Sequence, residues 1–230
     1  MTFKPFSATH VEYDSDDGLV GKVMALLSLA PVFIVVGYVS AGICAFACAS
    51  AARRNSNTGK AADAIVQGIA ALGACFSGQL LNVGVNLVIK AVVKEPRPPR
   101  PFGATPMQTE GGFSLGGSGM PSNHAQFMFY IAAIAFFRHQ SGAFPPPFGR
   151  ASKRTVALVG QLLLWTAAAA VAYSRVFLVY HTVQQVCAGA FAGVVFAAVW
   201  EWSGGFEAAQ RAVSAACNAR VLADEPSKDD

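Results

Sequence analysis

Apolar residues along this chain come in long unbroken blocks rather than in stripes. Val23–Ala52, Ala64–Ile89 and Thr155–Ser174 carry no charged residue, and Val176–Trp200 is interrupted only by His181. These segments are apolar on every face, so they lack the polar stripe that a helix on the surface of a water-soluble domain needs. At 1.5 Å per residue each crosses a hydrocarbon core about 30 Å thick. A fifth block, Pro121–Phe137, spans only about 25 Å, with Arg138 placed to snorkel to the interface. The pattern predicts an all-α, polytopic membrane bundle of about five transmembrane helices. One domain is expected over residues 1–202, with a tail over 1–22, followed by a short C-terminal helix and a disordered tail over 203–230.

Composition agrees with the pattern. The chain of 230 residues is 53% hydrophobic and 13% charged, against about 25% charged in ordinary soluble domains. A net charge of +4 without clustering does not suit a nucleic-acid binder, and no nucleic-acid partner is expected. Nothing points to an obligate protein partner. Cys44, Cys48, Cys75, Cys187 and Cys217 match no disulfide or zinc spacing, and buried free thiols are the expectation. No cleavable signal peptide is evident, because the first apolar block is too long and follows the acidic residues Glu12, Asp14, Asp16 and Asp17.

Charge then assigns the two sides. Threading five helices puts Arg53, Arg54, Lys60, Arg138, Arg150, Lys153 and Arg154 on one side, with Asp63 their only acid. By the positive-inside rule that side is cytosolic. The acidic N-terminal tail falls on the other side together with Lys90, Lys94, Arg97, Arg100 and Arg175. Those cations weaken the inference unless they have another task.

Three polar clusters supply one. Lys90-Ala-Val-Val-Lys-Glu-Pro-Arg97-Pro98 ends the second block, Gly119-Met-Pro-Ser122-Asn123-His124 opens the third, and Ser174-Arg175-Val-Phe-Leu-Val-Tyr-His181 joins the last two. All three fall on the non-cytosolic side, and ionisable groups at membrane depth mark functional sites. Lys90, Arg97 and Arg175 offer fixed charge and forked donors suited to phosphoryl oxygens. Ser122 sits at a predicted helix N-terminus, which also favours an anion. His124 and His181 can divide the roles of acid and nucleophile. No carboxylate or His/Cys grouping of metal-ligand spacing accompanies them, so no cofactor and no metal is expected.

The spacings Lys-x6-Arg-Pro, Pro-Ser-x-His and Ser-Arg-x5-His, in that order, resemble the type 2 phosphatidic acid phosphatase superfamily. The likeness sharpens toward its dolichyl-diphosphate phosphatase branch through Thr9-His-Val-Glu-Tyr13, Leu27-Ser-Leu-Ala-Pro-Val-Phe33, Lys94-Glu-Pro-Arg-Pro98, Gly119–Met128 and Tyr173–Thr182. It runs from about Thr9 to Trp202. The resemblance implies that His181 attacks the terminal phosphorus of an isoprenoid diphosphate lipid and that His124 protonates the leaving group. It implies phosphate binding by Lys90, Arg97, Ser122, Asn123, Ser174 and Arg175. It also implies a multi-pass protein of the endoplasmic reticulum membrane with its site facing the lumen, recycling the carrier lipid of N-glycosylation.

Two positions depart from the superfamily pattern. Asn123 stands where glycine is usual, and Gln185 where an aspartate usually orients the nucleophilic histidine; the dolichyl branch resembles this chain in having glutamine there. Gln185 is therefore expected to be catalytic, one helical turn beyond His181, with a packing role as the alternative.

Other readings are plainer. Lys94 is expected to snorkel beside Glu95, Arg100 to be a solvated loop charge, and His10 and His139 to be surface residues. Gly111–Gly119 lacks the Lys-Ser/Thr of a phosphate loop, and Gly189-x3-Gly193 suits close helix packing. Two competing functions stand beside the favoured one. One is another lipid phosphatase of the superfamily, acting on a polyprenyl diphosphate or phosphatidate-like lipid. The other is a transporter or scaffold, which leaves the three clusters unexplained.

Overall fold

The structure, a computed structural model, describes residues 3–6, 11–54, 59–99, 118–140 and 150–223. A short antiparallel hairpin pairs β1 (Phe3–Phe6) with β2 (Val11–Asp14). Seven α-helices follow among the described residues: α1 (Gly18–Ser28), α2 (Ala30–Arg54), α3 (Gly59–Val93), α4 (Asn123–Gln140), α5 (Arg150–Phe177), α6 (Val183–Trp202) and α7 (Gly205–Ala223). The all-α membrane architecture is as expected, with the hairpin added to it. Four helices, over Ala30–Arg53, Lys60–Val93, Thr155–Phe177 and Val183–Trp202, are long and apolar enough to cross a membrane. This is a multi-pass membrane protein.

Three expectations are corrected. The block Val23–Ala52 is not one helix: α1 stops at Ser28 and α2 starts at Ala30. Pro31 is the cause, since its ring would collide with the carbonyl one turn back, at Leu27. Arg138 does not snorkel to the interface; it is only 7% exposed and lies within the protein. The cysteines are free but not buried, with Cys44, Cys48 and Cys187 exposed and Cys75 and Cys217 partly so. On a membrane helix the lipid-facing surface is itself apolar, so a thiol need not be inside. The Gly142–Gly149 loop, most of the Gly111–Gly119 loop, Arg100, His10 and the tail beyond Ala223 lie outside the described residues.

The chain forms two compact units. The first comprises residues 1–31 and 79–199. Here α4 packs against α5, and α1 lies against α5 and β2. Although α4 is not among the four helices long and apolar enough to cross a membrane, Ala125–Met128, Tyr130, Ala132–Ile134 and Arg138 are all buried. Protein rather than lipid surrounds it, so its polar residues are tolerated. Ala125, Ala172 and Val186 form a core shared by α4, α5 and α6. Gln161 on α5 donates to the Ala132 carbonyl at 2.9 Å, and Phe129 meets Trp165 edge-on at 5.7 Å.

The second unit comprises residues 32–78 and 200–230. Ala49, Val66 and Ile69 form its core, with Val213 and Cys217 of α7 packed against them. Arg53 pairs with Asp63 at 3.1 Å and approaches Asn218 at 3.5 Å.

Close approach of α6 to α4 needs glycine twice. A Cβ at Gly189 would strike the Ser122 carbonyl, and one at Gly193 would strike the Gln126 carbonyl and lie 3.0 Å from the Tyr130 nitrogen. Gly84 on α3 has nothing within 4 Å of that position. Gly193→Val should therefore destabilise by about 1–3 kcal/mol or more, whereas Gly84→Ala should be neutral or mildly stabilising. Thermal unfolding of both variants in detergent checks this.

Candidate active site

The site lies within the first unit and starts from how α3 ends. Lys94 takes φ 50°, and its N–H donates to the Lys90 carbonyl at 3.1 Å. This left-handed cap closes the helix and turns the chain back across its end. Pro96 and Pro98 hold the residues before them extended, so Glu95 and Arg97 run over the helix terminus. Lys94 is exposed, in keeping with its plainer reading. Lys90 points the other way and donates to the Ser118 carbonyl at 2.6 Å.

The second cluster is pinned by backbone contacts. Gly119 N–H donates to the Glu95 carbonyl at 2.7 Å, and Ser122 N–H donates to the Gln185 carbonyl at 2.9 Å. The Met120–Pro121 bond is cis. Helix α4 then begins at Asn123, with the Ser122 carbonyl accepting from Gln126 N–H at 3.0 Å. Ser122 is thus the residue before the first turn, as expected. Among the described residues, its buried hydroxyl has no hydrogen-bond partner, and neither does the buried Asn123 Oδ1. Buried polar atoms left over in this way need an explanation, and both are beside a cavity.

The third cluster is a tight turn. Helix α5 ends at Phe177 and α6 starts at Val183, so His181 lies between the two spans instead of inside a continuous apolar helix. The Arg175 carbonyl accepts from Tyr180 N–H at 3.0 Å and from His181 N–H at 3.1 Å. Val179 sits at φ 56°, which a β-branched residue rarely adopts and which costs about 1–3 kcal/mol. Surrounding contacts hold it there. The Tyr180 hydroxyl accepts from Glu12 N–H at 3.0 Å, the Tyr180 ring carries the Arg175 guanidinium at 4.0 Å, and its carbonyl meets Arg97 at 3.5 Å. The N-terminal hairpin therefore braces this turn.

Helix α6 opens on a capping box. Thr182 Oγ1 accepts from Gln185 N–H at 3.2 Å, and Gln185 Oε1 accepts from Thr182 N–H at 3.2 Å. The same Oε1 faces His181 Nδ1 at 3.2 Å. Gln185 Nε2 donates to Glu95 Oε1 and to the Pro96 carbonyl, each at 2.8 Å. These partners assign the amide orientation, since Thr182 N–H can only donate and the Pro96 carbonyl can only accept. His181 Nδ1 must then carry a proton toward Oε1, which leaves the Nε2 lone pair free.

The three clusters enclose a cavity of about 140 Å³, lined by Asn86, Leu87, Lys90, Arg97, Asn123, His124, Arg175 and His181. One water needs roughly a tenth of that space. Lys90 is 7% exposed, Arg175 5% and His181 4%, so the charge is concentrated away from solvent. Burial, and after it Arg97, Arg175 and Lys90, push His181 down to about 3, while the Gln185 hydrogen bond works the other way. The ring is therefore neutral and nucleophilic throughout the physiological range. Such a pocket can receive a phosphoryl group among cations and expose it to a neutral imidazole, with a second imidazole at hand.

The remaining sequence candidates do not line the cavity. Ser122 stands just before Asn123, and Gln185 stands behind His181. Ser174 is buried and donates to the Val171 carbonyl at 2.7 Å. Among the described residues, no three His, Cys, Asp or Glu side chains are grouped to hold a metal ion. His139 is exposed, as expected.

Sequence reasoning missed a buried polar network. Gln126 Nε2 donates to the Asn82 carbonyl at 2.9 Å and to Asn82 Oδ1 at 2.7 Å. Asn86 Nδ2 donates to Gln126 Oε1 at 2.7 Å and to the Pro121 carbonyl at 3.3 Å. Asn82, Asn86 and Lys90 recur every four residues on one face of α3, and that spacing was the available signal. The Thr-x-x-Gln box before an apolar run was equally readable.

The family described as the PAP2 superfamily matches residues 68–206. Dolichyldiphosphatase 1 of Rhinolophus ferrumequinum is 37% identical over 207 residues, covering 86% of this chain and 71% of the relative. Dolichyldiphosphatase 1 of Homo sapiens is 35% identical over 206 residues, with the same coverage of 86% and 71%. Lipid phosphate phosphatase gamma of Arabidopsis thaliana is 33% identical over 199 residues, covering 86% and 73%. No solved structure matches.

Gln126→Leu removes the partner of two buried asparagines and loosens the support of the Pro121–Ser122 segment. We expect a loss of about 1–3 kcal/mol in stability and a lower turnover in the fraction that stays folded. Unfolding in detergent and phosphate release by the same preparation measure both.

Proposed function

This chain belongs to the PAP2 superfamily, and from that premise we propose that it hydrolyses dolichyl diphosphate to dolichyl phosphate and inorganic phosphate. The observation that carries this reading is the cavity in which His124 and His181, from separate segments, meet Lys90, Arg97 and Arg175. The dolichyldiphosphatases of bat and human, similar over 86% of the chain, support the choice of substrate.

In this mechanism Nε2 of His181 attacks the terminal phosphorus, forming an N–P bond as the bridging P–O bond breaks. The departing oxygen takes a proton from His124 and leaves as dolichyl phosphate. Water then attacks the phosphohistidine, with His124 receiving a proton, and inorganic phosphate is released. Lys90, Arg97, Asn123 and Arg175, which line the cavity, are assigned to the phosphoryl group, with Ser122 beside them at the start of α4. Ser174, whose hydroxyl is committed to the Val171 carbonyl, is left to support Arg175 next to it. Fixed donors aimed at charge that spreads over its oxygens supply the main stabilisation in phosphoryl transfer.

The proposal extends to place and organisation. Residues 1–202 form one phosphatase domain, and the C-terminal helix and tail are cytosolic. The site faces the lumen of the endoplasmic reticulum, where the diphosphate carrier is released by N-glycosylation. A second reading has one observation in its favour, the 33% identity with a plant lipid phosphate phosphatase. It predicts that phosphatidate is also cleaved, and a panel of lipid phosphates given to purified protein separates the two.

His181→Ala and His124→Ala should each lower turnover by about 10³-fold or more, with membrane insertion intact. Purified His181→Ala retaining a tenth of normal phosphate release would exclude the phosphohistidine route. Activity should survive EDTA and be inhibited by vanadate; strict Mg²⁺ dependence after chelation contradicts the role given to the cations. A glycosylation acceptor inserted between Arg100 and Ser118 should be modified, and one between Arg53 and Lys60 should not. The opposite labelling turns the site to the cytosol.

A further inference from the structure

Gln185 has four hydrogen-bonding positions on its amide, and all four are used. Oε1 accepts from Thr182 N–H and faces His181 Nδ1, while Nε2 donates to Glu95 and to the Pro96 carbonyl. Two donors and two lone pairs exhaust what an amide offers. A Cβ at position 119 would collide with the Gln185 amide, so the amide is boxed in by Gly119 as well as by its partners.

Glu95 arrives at this amide for reasons unrelated to its own side chain. The left-handed cap at Lys94 reverses the chain, and the Glu95 carbonyl accepts from Gly119 N–H at 2.7 Å. Ser118 Oγ lies 3.4 Å from the same carbonyl. With its backbone held in this way, the carboxylate is free to be used, and it is aimed at the outer hydrogen of Gln185.

We propose that Glu95 is a positioning residue for His181, acting through the Gln185 amide to keep the ring proton on Nδ1 and to stabilise the positive ring formed when Nε2 is phosphorylated. This rests on His181 being the nucleophile. As the N–P bond forms, Nε2 gives up its lone pair and the ring, still protonated on Nδ1, becomes cationic. The electron pair of the broken P–O bond goes to the departing oxygen, which takes the proton of His124.

The new cation is badly placed with respect to its surroundings. Lys90 from α3, Arg97 from the segment after it, His124 from α4 and Arg175 from α5 all face His181. The relay through Gln185 to Glu95 brings negative charge to the side of the ring away from the substrate. A carboxylate that accepts from an amide polarises the amide oxygen further, so the second hydrogen bond is strengthened.

The test transposes amide and acid with isosteric changes. Glu95→Gln should lower kcat about 10-fold while KM stays within about twofold, as for an outer partner of a reacting histidine. Gln185→Glu sets two carboxyl groups at the present 2.8 Å contact and should lower kcat more, by about 100-fold. The double variant Glu95→Gln/Gln185→Glu restores one acid and one amide at that contact while leaving the Pro96 carbonyl without its donor, and its kcat should return above that of Gln185→Glu. Its acidic limb should also move to higher pH, because a carboxylate placed directly on Nδ1 favours the protonated ring. A merely structural Glu95 would show in thermal unfolding and would leave kcat unchanged in the Glu95→Gln protein that stays folded.

Full kcat in Glu95→Gln, or a double variant no better than the product of the two losses, overturns the proposal. If Glu95→Gln does not fold, the double variant against Gln185→Glu decides the matter alone. His181→Ala, assayed alongside, separates the two levels. Its survival as an active enzyme removes the nucleophile and the relay together, whereas its inactivity beside a fully active Glu95→Gln removes only the relay.

Discussion

The three polar segments of this protein are tied together by one residue, Gln185. Its side chain bonds Glu95 and Pro96 from the first segment and faces His181 in the third. Its carbonyl accepts from Ser122 in the second. Segments about 90 residues apart in the chain thus share one amide, and the closure entropy of bringing them together is already met by the helices that carry them. The helices deliver each segment to the same end of the first unit. Gln185 sets the register among them to within a hydrogen bond.

Around that tie the backbone accepts local strain. Val179 and Lys94 both take positive φ, and each lies where a helix has to stop so that a functional side chain can turn inward. At Val179 the strain is borne by the two hydrogen bonds that the Arg175 carbonyl accepts from Tyr180 and His181 N–H, and by the bracing of Tyr180 from β2. Lys90 donates to the Ser118 carbonyl, Arg97 meets the Tyr180 carbonyl and Arg175 lies over the Tyr180 ring, so each positive group has a fixed place.

Much of this was legible in the chain, and the parts that were not share a cause. Uncharged blocks of membrane length fixed the helical class, and the spacing of Lys90, Arg97, Ser122, His124, Arg175 and His181 fixed the likeness. The polar residues Asn82, Asn86 and Gln126 were hidden because a run can be apolar on average and still turn one polar face into the bundle. The hairpin was missed because each strand is four residues long, too short for alternation to register. Glu95 looked like a companion of Lys94, its neighbour in sequence, whereas its side chain meets Gln185 across the fold. The cysteines were misjudged by a rule made for water, in which apolar means inside.

With His181 as the proposed nucleophile, the proposed relay also accounts for having an amide, instead of an acid, against its ring. In the proposed reaction the cavity receives a polyanion, drawn by Lys90, Arg97 and Arg175, which line it. A carboxylate directly on Nδ1 would stabilise the cationic ring well, but it would stand next to the same cations and reduce their field at the phosphoryl group. It would also favour protonation of the ring before reaction, and a protonated ring cannot attack. Set one amide further back, the charge of Glu95 is felt chiefly along the hydrogen-bonded line through Gln185. The resting imidazole stays neutral, the pocket keeps its positive field, and the stabilisation grows only as positive charge develops on the ring. Stabilisation that appears in the transition state and not in the ground state is the kind that raises kcat.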